Sequence, residues 1–156
     1  MLAVSAPAGA AEWALQPGDG GRGARLTFGL GEPVSYRFEC AAGDVIVTQT
    51  GVTKLLDVKT RSQVDDGAQV LPPGAAMMGL FGGTGEPGFM PAAAVKNPAG
   101  GWDLTIRLPG NDKRLKAVGR SEMISLFTTG YTMAVSMDAA ARAIWQRFME
   151  RCATGR

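Results

Sequence analysis

Hydrophobic and polar residues alternate with a period of two along much of the chain from Trp13 onward. Successive side chains of a β-strand point to opposite faces, so this alternation is typical of strands with one buried and one solvated face. Four runs show it most clearly, with apolar positions at Leu26/Phe28/Leu30, Tyr36/Phe38/Cys40, Trp102/Leu104/Ile106/Leu108 and Tyr131/Met133/Val135/Met137. Residues 45–48 and 55–58 are further β-prone runs, and clusters of Gly, Pro, Asn and Asp separate the runs. The pattern predicts an antiparallel sandwich or flattened barrel of about eight to ten strands.

Two segments change to a helical period. The first is short and follows Pro109-Gly110: Asn111 or Asp112 can cap its start, and Gly119 can end it. Its charged residues are mostly basic, namely Lys113, Arg114, Lys116 and Arg120. The sequence therefore predicts one short basic helix.

The second helical segment is longer and lies at the end of the chain. Asp138 is its N-cap candidate, and no Gly or Pro interrupts the run from Ala139 to Cys152. Its apolar stripe consists of Ala141, Trp145, Phe148 and Cys152, with Ile144 beside it. We expect this C-terminal α-helix to pack on the sheet, which gives a mainly β fold class.

The length of 156 residues fits a single domain. Residues 1–11 are small and apolar, and Ala8-Gly9-Ala10 fits the pattern before a signal-peptidase cut. We interpret 1–11 as a signal-peptide remnant or a disordered N-terminus, and 12–156 as one β-rich domain. The prediction is a periplasmic or secreted protein, without a transmembrane span because no 18 apolar residues run together.

Composition limits the chemistry. The chain contains no histidine, which excludes imidazole metal ligands and the Ser–His and Cys–His nucleophile pairs. No serine lies in a nucleophile-elbow context, so we predict no catalytic residue, no metal and no cofactor. The alternative that the sequence leaves open is a hydrolase that uses carboxylates alone.

The two cysteines, Cys40 and Cys152, lie 112 positions apart. This separation is too long for a local metal motif, and there is no histidine to complete one. In an exported protein the pair is predicted to form a disulfide that ties the terminal helix to the sheet. The other interpretation is two buried free thiols in a cytosolic protein.

Charge is unevenly distributed. The net charge of +2 is too small to indicate a nucleic-acid partner, yet residues 107–156 hold nine basic and four acidic side chains. The basic stretch comprises Arg107, Lys113, Arg114, Lys116 and Arg120. It is interpreted either as a solvated face or as the rim of a binding surface for an anionic partner.

A second candidate surface is the cluster of methionine and phenylalanine around the glycine-rich loop 82–88. Its members are Met77, Met78, Phe81, Phe89 and Met90, with Leu80 beside them. Exposed Met-rich surfaces often bind partners, whereas the alternative is that these residues are strand positions facing the core. We expect Phe81 and Phe89 to anchor a partner and the basic residues Lys113, Arg114 and Lys116 to accelerate its association.

The stretch 36–47, Tyr-Arg-Phe-Glu-Cys-Ala-Ala-Gly-Asp-Val-Ile-Val, together with Phe148-Met149-Glu150-Arg151-Cys152, resembles uncharacterised exported proteins of Gram-negative bacteria. The first stretch is also similar to the opening of the small periplasmic lysozyme inhibitors, which are β-barrels with a Tyr-x-Cys strand and a disulfide. The inhibitors' Ser-Gly-x-x-Tyr loop is missing, and Gly130-Tyr131 is only a fragment of it. The resemblance implies an exported β-rich protein.

These observations favour a non-catalytic periplasmic or envelope-associated binding protein whose partner is another protein. An inhibitor of a lysozyme-like enzyme is the alternative within the binding class. The hydrolase is the alternative from the enzyme class, and two carboxylates facing each other across a concave site would favour it.

Overall fold

The computed structural model describes residues 12–29, 35–64, 67–83 and 88–155. Within these ranges the chain forms one antiparallel sheet of nine strands in the order β1-β2-β3-β4-β7-β6-β5-β8-β9. The strands are β1 (Glu12–Pro17), β2 (Ala24–Gly29), β3 (Ser35–Ala41), β4 (Asp44–Val52), β5 (Ala76–Gly82), β6 (Met90–Lys96), β7 (Trp102–Pro109), β8 (Met123–Thr128) and β9 (Tyr131–Ser136). The predicted leader 1–11 and Leu30 lie outside the described residues.

The sheet curls into a half-barrel. Tyr36 on β3 donates its hydroxyl hydrogen bond to the carbonyl oxygen of Met133 on β9, at 3.4 Å, although these strands are not neighbours in the sheet. Burial raises the pKa of the Tyr36 hydroxyl above its ordinary value, so the group stays protonated and can donate. The predicted mainly β, antiparallel fold is confirmed, with a single curled sheet as its form.

The concave face of the half-barrel holds the core. Residues at alternate positions of the long strands are buried, as the period of two predicts. On β7, for example, Trp102, Leu104, Ile106 and Leu108 are all buried. Large side chains therefore point inward from each long strand, and the space between them needs a further element to close it.

The C-terminal helix α2 (Ala139–Thr154) closes that space. It begins where predicted, because the Asp138 carboxylate accepts a hydrogen bond from the Ala141 N–H at 2.7 Å. Trp145 and Phe148 are buried, and the Trp145 ring meets Phe38 edge-on at 5.0 Å between centroids. The predicted packing of this helix on the sheet is confirmed.

A disulfide joins Cys40 on β3 to Cys152 in the last turn of α2, with 5.3 Å between the Cα atoms. This is the predicted pairing. Together with the Trp145–Phe38 contact, it fixes α2 to β3 at two points, so this helix and strand are held in one relative position.

The short helix α1 (Lys113–Val118) lies beside α2. Asp112 is its N-cap, with the carboxylate accepting from the Arg114 N–H at 2.8 Å, and Leu115 and Val118 are buried. The indole N–H of Trp145 donates to the Leu115 carbonyl oxygen at 3.1 Å. The buried tryptophan of α2 therefore also fixes the position of α1.

The prediction of a strand at 55–58 is wrong. Leu56 forms an isolated bridge with Gln63, and the chain turns immediately afterwards. The turn is stabilised by the Asp57 carboxylate, which accepts backbone hydrogen bonds from Lys59 and Thr60 at 2.8 Å each. An aspartate that bonds the backbone two and three residues on favours a turn over a strand.

Candidate functional site

Strand β5 and helix α1 approach each other unusually closely. A Cβ atom placed on Gly82 would lie 2.9 Å from the Val118 nitrogen and 3.1 Å from the Ala117 carbonyl carbon. Because both neighbours are backbone atoms, a side chain at position 82 would force the helix away from the strand. This contact brings residues near 82 and residues 113–121 together across a long stretch of sequence.

A cleft of about 830 Å³ opens at this junction, between the end of β5, the start of β8 and α1. Small residues occupy much of its lining, namely Gly82, Gly83, Ala117, Ser121 and Ser125. The Ser121 hydroxyl donates to the Ala117 carbonyl oxygen at 2.7 Å, which ties the turn after α1 to the helix. We call this cleft the cationic cleft for the charges described below.

One wall of the cationic cleft is apolar. Phe81 on β5 is half-buried and pairs in register with Ser125 on β8. Met123 lies two residues before Ser125, on the same face of β8, and 55% of it is exposed. Two large apolar side chains therefore border the cleft while remaining open to solvent.

The other wall is cationic. It is lined by Lys113 and Lys116 on α1 and by Arg120 just after the helix, at spacings of three and four residues. None of the three forms an ion pair with any residue that the structure describes. Glu122 is the one carboxylate among the described lining residues, so cations outnumber it.

Arg114 does not belong to this wall, contrary to the prediction that grouped it with Lys113 and Lys116. Its guanidinium is bound bidentately by the Asp112 carboxylate, with Nε–Oδ1 at 2.9 Å and Nη2–Oδ2 at 2.7 Å. The Arg114 side chain is the main cause that holds the pKa of Asp112 below its ordinary value. A third contact, from Nη1 to the Met90 sulfur at 2.8 Å, completes a structural role for this arginine.

The predicted methionine and phenylalanine cluster is divided. Phe89 is 50% exposed and stacks edge-on against Phe127 at 4.7 Å between centroids. It lines a separate groove of about 430 Å³ together with Met77 and residues of the 56–61 turn.

The other two methionines of the cluster do not line this groove. Met90 is half-buried against Arg114. Met78 is fully buried, so its placement on a binding surface is wrong, because it alternates inward with Leu80 along β5.

Sequence patterns did not identify Met123, Ala117, Ser121 and Ser125 as residues of this cleft. The signal available in the sequence is a short alternation at 123–126, in which Ile124 and Leu126 are buried and Met123 and Ser125 are not. Both Phe127 and Thr128 are buried as well, so the alternation breaks off after only a few residues. The run was too short to stand out.

Carboxylates are sparse at the clefts. Glu122 is the single described carboxylate at the cationic cleft, and Glu150 is the single one at a neighbouring cleft of about 470 Å³ between α1 and α2. A hydrolase that uses carboxylates alone needs a facing pair. Nothing in these two clefts favours the hydrolase alternative.

The described residues contain no group of three or more Cys, Asp or Glu side chains placed to hold a metal ion. No helix in the same part of the chain has the length and apolar character needed to cross a bilayer.

No protein-family model, no curated protein and no solved structure matches this chain.

Proposed function

We propose that this protein is a non-catalytic, exported binding protein that holds another protein in the cationic cleft. The observation that carries the proposal is the meeting of Phe81 with Lys113, Lys116 and Arg120 along one cleft. These residues come from the two separate surfaces that the sequence singles out. An apolar anchor next to cations that pair with no carboxylate of the described residues is an arrangement that a partner with the opposite charge can use.

Folding alone gives no reason for this arrangement. Lys113, Lys116 and Arg120 repel each other when no described carboxylate pairs with them. Because Met123 is exposed, its apolar surface likewise contributes little to the stability of the fold. A partner that brings carboxylates and an apolar side chain would relieve the repulsion and cover the exposed apolar surface.

The disulfide supports a periplasmic or secreted location. Disulfides form and persist in oxidising compartments and are rare in the cytosol. Cys40 and Cys152 are joined in the structure, and Ala8-Gly9-Ala10 fits a signal-peptidase site. We propose that the partner is met in that compartment.

Inhibition of a lysozyme-like enzyme is a narrower form of the same proposal. Enzymes that cleave glycosidic bonds carry two carboxyl groups at the scissile bond. The clustered cations of α1 are their electrostatic complement, and this observation favours the inhibitor as a second candidate. Purified protein should then slow the clearing of a bacterial cell-wall suspension by lysozyme, and an unchanged clearing rate would reject this candidate.

Comparative capture tests the main proposal. The oxidised protein is immobilised as wild type, as Phe81→Ala and as Arg147→Glu, and each is exposed to the same periplasmic extract. Arg147 is a matched control, because it is an exposed cation of α2 that lies outside the cationic cleft. We expect a protein that is retained by the wild type and Arg147→Glu but lost from Phe81→Ala. Equal retention on all three would reject the cleft as the binding site.

A further inference from the structure

We infer that the cationic cleft takes an extended acidic segment of the partner, in which acidic side chains alternate with apolar ones. This inference rests on the proposed function and adds the chemistry and conformation of what is bound. It follows from the spacing of the cations and from the apolar residues that line the same cleft.

The cation spacing matches an extended chain. Lys113 and Lys116 are three residues apart on α1, and Arg120 follows after four more, beyond the end of the helix. The Arg120 N–H donates to the Ala117 carbonyl oxygen at 3.1 Å, so the chain continues to turn in the helical sense there. Neighbouring positions on one helix face have Cβ atoms about 5–6 Å apart. Alternate residues of an extended chain are about 6.6 Å apart, so every second side chain falls close to the next cation.

The apolar wall accounts for the residues in between. Side chains of an extended segment point alternately to its two sides. If the acidic side chains face α1, the intervening ones face Phe81 and Met123, the two large apolar residues on the other side of the cleft. In a helix each face recurs every three to four residues, so an alternating sequence would not separate its acidic from its apolar side chains.

The lining favours a protein segment over the surface of a membrane. The cations share the lining of the cleft with the apolar Phe81 and Met123, which a layer of phosphate groups would leave uncovered. Glu122 in the same lining would also repel a dense layer of phosphate groups, whereas an extended chain can place an uncharged residue beside it.

Fluorescence anisotropy with three labelled peptides tests the inference. In the first peptide Glu and Leu alternate, in the second the same residues are grouped as a Glu block and a Leu block, and in the third Gln replaces Glu in the alternating order. We expect the alternating Glu–Leu peptide to bind about tenfold more tightly than either of the others. Equal binding of the alternating and block peptides would overturn the inference, because total charge alone would then decide affinity.

Variants of the protein show where the peptide binds. Phe81→Ala and Lys116→Glu should each weaken the alternating peptide by about tenfold or more, whereas Arg147→Glu should stay within about twofold of the wild type. Equal weakening by Lys116→Glu and Arg147→Glu would overturn the inference, since binding would then follow net charge.

Vesicles of phosphatidylglycerol are the competing probe. Vesicle binding that is lost in Lys116→Glu, with no binding of the alternating peptide, would overturn the inference in favour of a lipid surface. If capture of a partner protein still depends on Phe81 while the alternating peptide does not bind, the inference fails and the proposed function stands. If the peptide does not bind and no captured protein depends on Phe81, both the inference and the proposed function fail.

Discussion

Phe81 and Phe148 are both prominent aromatic residues of the sequence, and the structure gives them opposite environments. Phe148 is fully buried between α2 and the sheet, where its ring lies 6.3 Å from that of Phe38. Phe81 is half-buried and borders an open cleft. A buried aromatic contributes mainly to folding, whereas a partly exposed one at a cleft is available to a partner.

Replacing Phe148 tests the first of these roles. Phe148→Ala removes a large side chain from a closely packed core and leaves a cavity, so we expect a loss of about 3–5 kcal/mol in the free energy of unfolding. Denaturant unfolding followed by tryptophan fluorescence measures this loss. Phe81→Ala is the comparison variant, and we expect its loss in the free energy of unfolding to be less than half that of Phe148→Ala. Similar losses for the two variants would mean that Phe81 is also a core residue.

Gly82 tests how the cleft is assembled. Gly82→Ala places a methyl group about 3 Å from backbone atoms of Ala117 and Val118, so α1 must move away from β5. We expect lower stability and faster hydrogen exchange at the α1 amides, measured by NMR or mass spectrometry. Gly88→Ala is the control, because a Cβ at that position meets no atom within 4 Å. Unchanged exchange in α1 would contradict the close packing of β5 and α1.

At the scale of elements, the cleft depends on the position of α1. This helix has only six residues, which is too short to be stable alone, so its cap, its buried residues and the Trp145 hydrogen bond must hold it. The Asp112 cap holds the start of α1, and the disulfide holds the end of α2. Substitutions can remove each of them separately.

The cap of α1 should give a pH-dependent contribution. The Arg114 side chain and the Arg114 backbone N–H hold the pKa of Asp112 below its ordinary value of 3.8. The ionised cap therefore adds stability that is fully present above about pH 4 and is lost as the pH falls through the lower, folded-state pKa. We expect Asp112→Ala to cost about 1 kcal/mol at pH 7 and clearly less near pH 2.

Unfolding of the wild type and Asp112→Ala at several pH values measures this difference, and Asp112→Asn is the control. Asparagine keeps an oxygen that can accept the cap hydrogen bond but has no charge to titrate. The difference in the free energy of unfolding between wild type and Asp112→Ala is the quantity compared. If it stays constant down to pH 2, the charge of Asp112 makes no contribution to stability.

The disulfide should make a larger contribution. Replacing both Cys40 and Cys152 by alanine should lower the free energy of unfolding by about 2–5 kcal/mol, because the bridge restricts the unfolded chain over 112 positions. Thermal unfolding of this variant and of the wild type, each with and without reductant, measures the loss. Reductant should destabilise the wild type alone, and equal melting temperatures for all four samples would contradict the contribution.

The sequence predicts the elements that have long, regular patterns. Residues 102–108 and 139–152 each repeat one period over many positions, so β7 and α2 are found close to their predicted bounds. The short run at 55–58 misleads because the local hydrogen bonds of Asp57 outweigh its β-prone side chains. Regular patterns thus identify elements, while local turn chemistry decides where short runs end.

At the scale of the whole molecule, the cationic cleft could be predicted only in part. The basic residues of α1 and the aromatic Phe81 both stand out in the sequence, but some 30 residues separate them. Their meeting requires the pairing of β5 with β8 and the close contact at Gly82, and neither has a local signal. For the same reason Phe81 and Phe89, which are close in sequence, line different clefts.

Site-specific photo-crosslinking in intact cells tests the central claim, that the cationic cleft holds a partner protein, most directly. A benzoylphenylalanine residue replaces Met123 at the apolar wall, or Arg147 on α2 as the control position, and the cells are irradiated before the periplasm is analysed. We expect a discrete crosslinked protein from position 123 that is absent from position 147 and is lost when Phe81→Ala is added. A crosslink from position 123 that persists in Phe81→Ala, or the same crosslinks from both positions, would contradict the account.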